Sequence, residues 1–170
     1  MDTREFIQAS LDRVKLATAR VVDGLSHSEL AWRPGPECGS IGLILFHMVR
    51  SEDTFIQTRI QGKPLVWEAE KWYEKLNLPA AETGSGYTAE QIAAFRVPEL
   101  KDLTGYAEAV RARSLEYLKG ITDAEYTRVI TLARLGDIPV GKLLALVVVH
   151  LAQHVGEISY LRGMQRGLNK

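Results

Sequence analysis

Ile7, Leu11, Val14, Thr18, Val21 and Leu25 recur at spacings of three and four, the repeat that lines one face of a helix. Asp2 with Glu5 forms a capping-box pattern ahead of this row, and Gly24 stands near its end. Residues 25–40 contain Pro34, Gly35, Pro36 and Gly39, which predicts a loop because these residues cannot sustain a helix. Ser40 reads as the N-cap of a second helix over 41–60, stopped by Gly62-Lys63-Pro64. Ile41, Ile44, Leu45, Met48 and Phe55 turn towards its core side. Residues 63–97 predict a long connection with an aromatic turn at Trp67, Trp72 and Tyr73 and a break at Gly84-Ser85-Gly86. A short helix opened by the Thr88-x-x-Gln91 capping box follows. Pro98 falls in the first turn of a third long helix, with a stripe of Leu100, Leu103, Ala107, Val110, Ser114, Tyr117 and Ile121. Residues 127–132 and 135–137 read as a short β-hairpin. The last helix spans 139–165, roughly 40 Å at the helical rise, and ends at Gly167. These elements predict an all-α four-helix bundle in one domain over 1–170, and the long second connection allows two neighbouring helices to run parallel.

Composition narrows the partners. The 170 residues are 46% hydrophobic and 25% charged, a balance that argues against disorder. Twenty-one Lys plus Arg offset 21 Asp plus Glu, so no basic footprint favours nucleic acid. A single cysteine, Cys38, excludes an intrachain disulfide and a Cys-rich zinc module and suits a reducing compartment. Cys38 precedes the proposed N-cap, where a helix dipole can lower a thiol pKa, but with no histidine close in sequence it reads as an inert loop residue. The mixed charge of the first residues does not resemble a signal peptide, and the apolar run 143–151 is shorter than the roughly 20 residues of a membrane span. The expectation is therefore a cytoplasmic chain with no membrane partner.

Chemistry concentrates in the histidines. His150 and His154 form an i, i+4 pair on the apolar last helix, so their rings lie one above the other and can converge on one ion. A buried imidazole needs either such a ligand role or a hydrogen bond to a carbonyl or carboxylate. His47 lies inside the second helix, on a face shared with Leu43, Ile44, Ser51 and Thr54. Three neutral imidazoles with an open position suit zinc or a related divalent ion. A protease of the His-Glu-x-x-His type is excluded, because Leu151 follows His150. Glu52 and Asp53 are out of phase with His47 and read as solvated or bridging charges. Trp32, Trp67, Trp72 and Tyr73 read as packing over the bundle end, with a ligand entrance as the alternative.

Leu30-Ala31-Trp32-Arg33-Pro34, then Ser40-Ile41-Gly42-Leu43-Ile44-Leu45-Phe46-His47 with Glu52-Asp53, and finally His150-Leu151-Ala152-Gln153-His154-Val155-Gly156-Glu157-Ile158 with Leu161-Arg162 resemble the DinB/YfiT-like superfamily over nearly the whole chain. The resemblance implies an up-down-down-up bundle with a long crossover between the second and third helices. It also implies metal ligation by His47, His150 and His154, and it leaves out His27, which falls in the predicted loop. Similar sequences often carry Gln where this chain has Glu157, a residue that can ligate, orient an imidazole, act as a base or form a salt bridge. The resemblance further implies a divalent ion, zinc or nickel, and a transferase that activates a low-molecular-weight thiol such as bacillithiol or mycothiol towards a small electrophile. Metal-dependent hydrolysis and metal binding without turnover are the alternatives. A homodimer is also expected, through the apolar remainder of the first helix (Phe6) and of the last.

Overall fold

A computed structural model describes residues 2–167, so the extreme ends of the expected 1–170 domain lie outside the described residues. Helix α1 (Thr3–Val22) begins under the expected capping box: the Asp2 carboxylate accepts from the Glu5 amide at 2.8 Å, and Glu5 accepts from the Asp2 amide at 2.9 Å. Ile7, Leu11 and Val14 of its stripe are buried, and Val22 joins them. The predicted loop over 25–40 holds a five-residue helix, α2 (His27–Ala31), which corrects the expectation. Ser26 and Glu29 form a second capping box there, enough to start a turn ahead of the Pro and Gly residues.

Helix α3 (Ile41–Glu52) starts where Ser40 Oγ accepts from the Leu43 amide at 3.2 Å. It continues over Asp53–Ile60 as a π-helix, so the two parts together fill the expected 41–60 span. The crossover contains three short helices: α4 (Val66–Ala69), α5 (Trp72–Lys75) and α6 (Ala89–Ala94). The last of these has the expected Thr88–Gln91 capping box. Helix α7 (Leu100–Lys119) begins after Pro98, not around it, because Glu99 takes the extended N-cap conformation with ψ 143°. A short α8 (Asp123–Thr127) precedes the hairpin of β1 (Val129–Leu132) and β2 (Gly136–Pro139), paired antiparallel from Val129↔Pro139 to Leu132↔Gly136. The hairpin leads directly into α9 (Val140–Arg166).

Helix α9 packs against α1 and α3, and α7 packs against α3 and α1, so the four long helices enclose one core. Leu11, Phe46, Ile56, Trp67, Tyr106, Val110, Leu118, Leu143, Leu144, Leu151 and Ile158 are almost fully buried in it. Each large apolar side chain so placed contributes about 1.5–3 kcal/mol of transfer free energy. Trp67 is fully buried and Trp72 packs partly buried beside it, both against Tyr106, which fits the packing reading. The solvated reading of Glu52 and Asp53 also fails, since both are buried. Arg111 of α7 donates to both carboxylate oxygens of Glu52 at 2.8 Å and to the Leu11 carbonyl at 2.6 Å, joining α7, α3 and α1.

Taken whole, α9 is long and apolar enough to cross a membrane by length and composition, which the shorter run 143–151 did not suggest. Its row Leu143, Val147, Leu151, Ile158 and Leu161 nevertheless faces the bundle core. Leu146, Val149, Tyr160 and Met164 on its other side are exposed, as is Phe6 of α1, the surface that the homodimer expectation requires.

Candidate metal centre

The helical spacing of His150 and His154 brings their rings to 4.4 Å between centroids, nearly perpendicular at 89°. Both lie beside the buried row that seats α9 against α3, which turns them towards His47. His47 stands 5.0 Å from His150 and 4.7 Å from His154, centroid to centroid. One ligand atom from each residue falls within 4.8 Å of the other two. The histidines named from the sequence therefore meet, and all three are partly buried. His27 does not join them: it sits at the start of α2, 48% exposed, with Nδ1 3.3 Å from Glu99.

Hydrogen bonds fix which nitrogens face inward. The Gly84 carbonyl lies 2.7 Å from His47 Nδ1, and a carbonyl only accepts, so Nδ1 carries the proton and Nε2 keeps its lone pair. Ser85 Oγ is also 3.1 Å from that Nδ1. Glu157 Oε2 accepts from His154 Nδ1 at 2.7 Å, which again leaves Nε2 for the cluster. Of the four roles open to Glu157, the contact fits imidazole orientation or an ion pair: its half-exposed carboxylate lies on the outer nitrogen of His154. His150 Nε2 lies 3.1 Å from His47 Nε2 and 3.3 Å from the buried Ser51 hydroxyl.

This donor set fits a divalent ion. Two nitrogens bound to one ion at about 2.0–2.1 Å stand about 2.8–3.4 Å apart for angles between 90° and tetrahedral, and the 3.1 Å separation of His47 and His150 lies in that range. Ligation also needs neutral rings. Burial, with the neighbouring His154 and His47 adding to it, pushes His150 down to about 4. Burial likewise lowers His47, against the opposing pull of the Gly84 hydrogen bond. Both rings therefore favour, at neutral pH, the neutral form that ligation needs.

Three cavities lie elsewhere. An apolar one of about 140 Å³ between α1, α3, α7 and α9 is lined by Val14, Met48, Leu103 and Leu151 among others. Clefts of about 590 and 570 Å³ lie beside Gln57 and Arg113 and beside Glu82 and Tyr87. None of these three is lined by the cluster histidines. Cys38 is an exposed free thiol, in keeping with its reading as a loop residue. Gly84 and Ser85 carried no sequence signal beyond a helix break, because their role depends on a contact 37 and 38 residues away.

A crystal structure of a conserved protein from Enterococcus faecalis superposes with a TM-score of 0.86 at 22% identity, covering 96% of this chain and 97% of that one. This establishes the shared fold. Searching curated proteins by sequence gave no significant match. The family comparison matched residues 10–158, which include all three histidines and the four long helices apart from their outer ends. The chain belongs to the DinB superfamily.

Proposed function

We propose that His47, His150 and His154 bind one divalent ion, zinc or nickel, and that the protein is a small-molecule transferase using a low-molecular-weight thiol. The observation that carries this reading is the convergence of three imidazoles, two of them with their outer nitrogens already committed to Gly84 and Glu157. A divalent ion held by neutral ligands supplies a Lewis acid that favours the thiolate at neutral pH. The chain supplies the rest. His47 and His154 present fixed tautomers, with Nδ1 committed to the Gly84 carbonyl and to Glu157. Ser51 Oγ, 3.3 Å from His150 Nε2, offers a hydroxyl next to whatever approaches the histidines. A small electrophile is the second substrate, and a cytoplasmic setting, where such thiols stay reduced, belongs to the same reading.

The test is a thiol-dependence assay on zinc- and nickel-loaded protein. Turnover of an electrophilic probe should rise with bacillithiol, mycothiol or a cysteine-based thiol in the wild type and stay at background in His47→Ala. Thiol-independent ester or amide cleavage by the loaded protein would move the reading to a hydrolase. Silence in both assays at confirmed metal occupancy would favour metal binding without turnover.

A further inference from the structure

A buried polar cluster stands behind His47. Arg50 and Asp53, one and two turns further along the same helix, are 5% and 0% exposed. Asp53 accepts from the Val66 and Trp67 amides at 2.9 and 3.0 Å and from the Tyr106 hydroxyl at 2.7 Å. Arg50 Nη1 lies 3.7 Å from the same carboxylate and donates to Tyr106 at 3.4 Å, while Nη2 donates to the Glu82 carbonyl at 3.2 Å. The guanidinium also stacks over Trp67, 4.9 Å from the ring centroid. These contacts grip the crossover near its start, at Val66–Trp67, and near its middle, at Glu82.

Burying such a pair is costly, and well-packed apolar side chains would hold a bundle equally well. What they would not do is set the crossover in one position. Gly84, two residues after Glu82, has φ +75° and lies so close to Arg50 that a Cβ there would sit 3.1 Å from Arg50 Cβ and Cγ. Its carbonyl is the acceptor for His47 Nδ1 at 2.7 Å. His154 receives the equivalent support from Glu157 on its own helix, but His47 receives it from a distant segment held by Arg50.

We infer that Arg50 is a positioning residue for the metal centre: with Asp53 and Tyr106 it clamps the crossover so that the Gly84 carbonyl fixes the tautomer and ring orientation of His47. The inference rests on the metal-binding reading above. Arg50 touches no ion; it sets how well His47 is prepared to ligate one.

The experiment compares wild type with Arg50→Met, which keeps the stem against Gly84 and removes the guanidinium. Zinc affinity is read by competition with a chromophoric chelator, and the imidazole nitrogen resonances of the apo protein by NMR. The expected result is one zinc still bound, about 10–100-fold more weakly, with His47 changing from a single Nδ1–H tautomer to a mixture and His154 unchanged. Unaltered zinc affinity together with an unaltered His47 tautomer would overturn the inference, even if the thermal midpoint fell, since that is all a merely structural residue would do. Should Arg50→Met fail to fold, Gly84→Ala and Tyr106→Phe provide the same two readouts, and wild-type behaviour in both variants counts against the clamp. If the wild type itself takes up no zinc, the metal reading fails. The apo tautomer then still decides the clamp, which stands if His47 responds to Arg50→Met and falls if it does not.

Discussion

On the proposed reading, His47, His150 and His154 hold one ion, but they are supported differently. Glu157 holds His154 through a half-exposed side chain, so removing it disturbs orientation without removing a ligand. Glu157→Ala is therefore expected to keep a stoichiometry of one zinc while weakening affinity about 10–100-fold. Loss of binding altogether, measured by the same titration, would make Glu157 a ligand. His150 has its pKa lowered to about 4, first by burial and then by its histidine neighbours, and burial lowers His47 as well. Between the ordinary histidine value of 6.5 and about 4 the unfolded chain binds a proton at His150 that the folded chain does not, so stability rises with pH across this window. Apo protein should lose thermal stability as pH falls from 6.5 to 4.5, and His150→Gln should flatten that slope. An equal slope in both would show that His150 does not titrate as its burial implies. The i, i+4 pair was legible from spacing alone, and His47 from being the one further histidine within a predicted long helix. Gly84 and Arg50 were not, because a carbonyl brought back by a crossover leaves no periodic trace.

At the scale of elements, the long helices and the hairpin followed from periodicity and turn chemistry, while the details turned on single contacts. Two turns of apolar residues at 56 and 60 fit an α-helix and a π-helix alike, so the wider geometry of Asp53–Ile60 had no signature. α2 arose from four residues, Ser26 to Glu29, too few to outweigh the breakers that follow. Gly42 shows how closely the start of α3 is seated: a Cβ there would lie 2.2 Å from Val97 Cγ1 and 3.3 Å from the Leu30 carbonyl oxygen. Alanine would gain about 1 kcal/mol in helix propensity over glycine. Crowding against a β-branched side chain and a backbone atom costs about 1–3 kcal/mol and should win. Gly42→Ala is expected to be destabilising in chemical denaturation, and a stabilised variant would mean that Val97 moves away freely.

Across the whole molecule, the bundle brings α3 and α9 together along a seam where apolar residues supply the adhesion and three histidines converge in an arrangement that could hold a metal ion. The neutral charge balance and the four long helices could be read from the sequence, as could the residues of the cluster. The distances between them could not, because they depend on how α9 is seated against α3. These three imidazoles are proposed to form one metal site. Calorimetric zinc titration of tag-free apo protein tests it most directly, with wild type beside His27→Ala and each of His47→Ala, His150→Ala and His154→Ala. One equivalent bound by wild type and by His27→Ala, with binding strongly reduced in each of the other three folded variants, is the predicted result. Wild-type zinc binding retained in His150→Ala, or no saturable binding in the wild type, would contradict it.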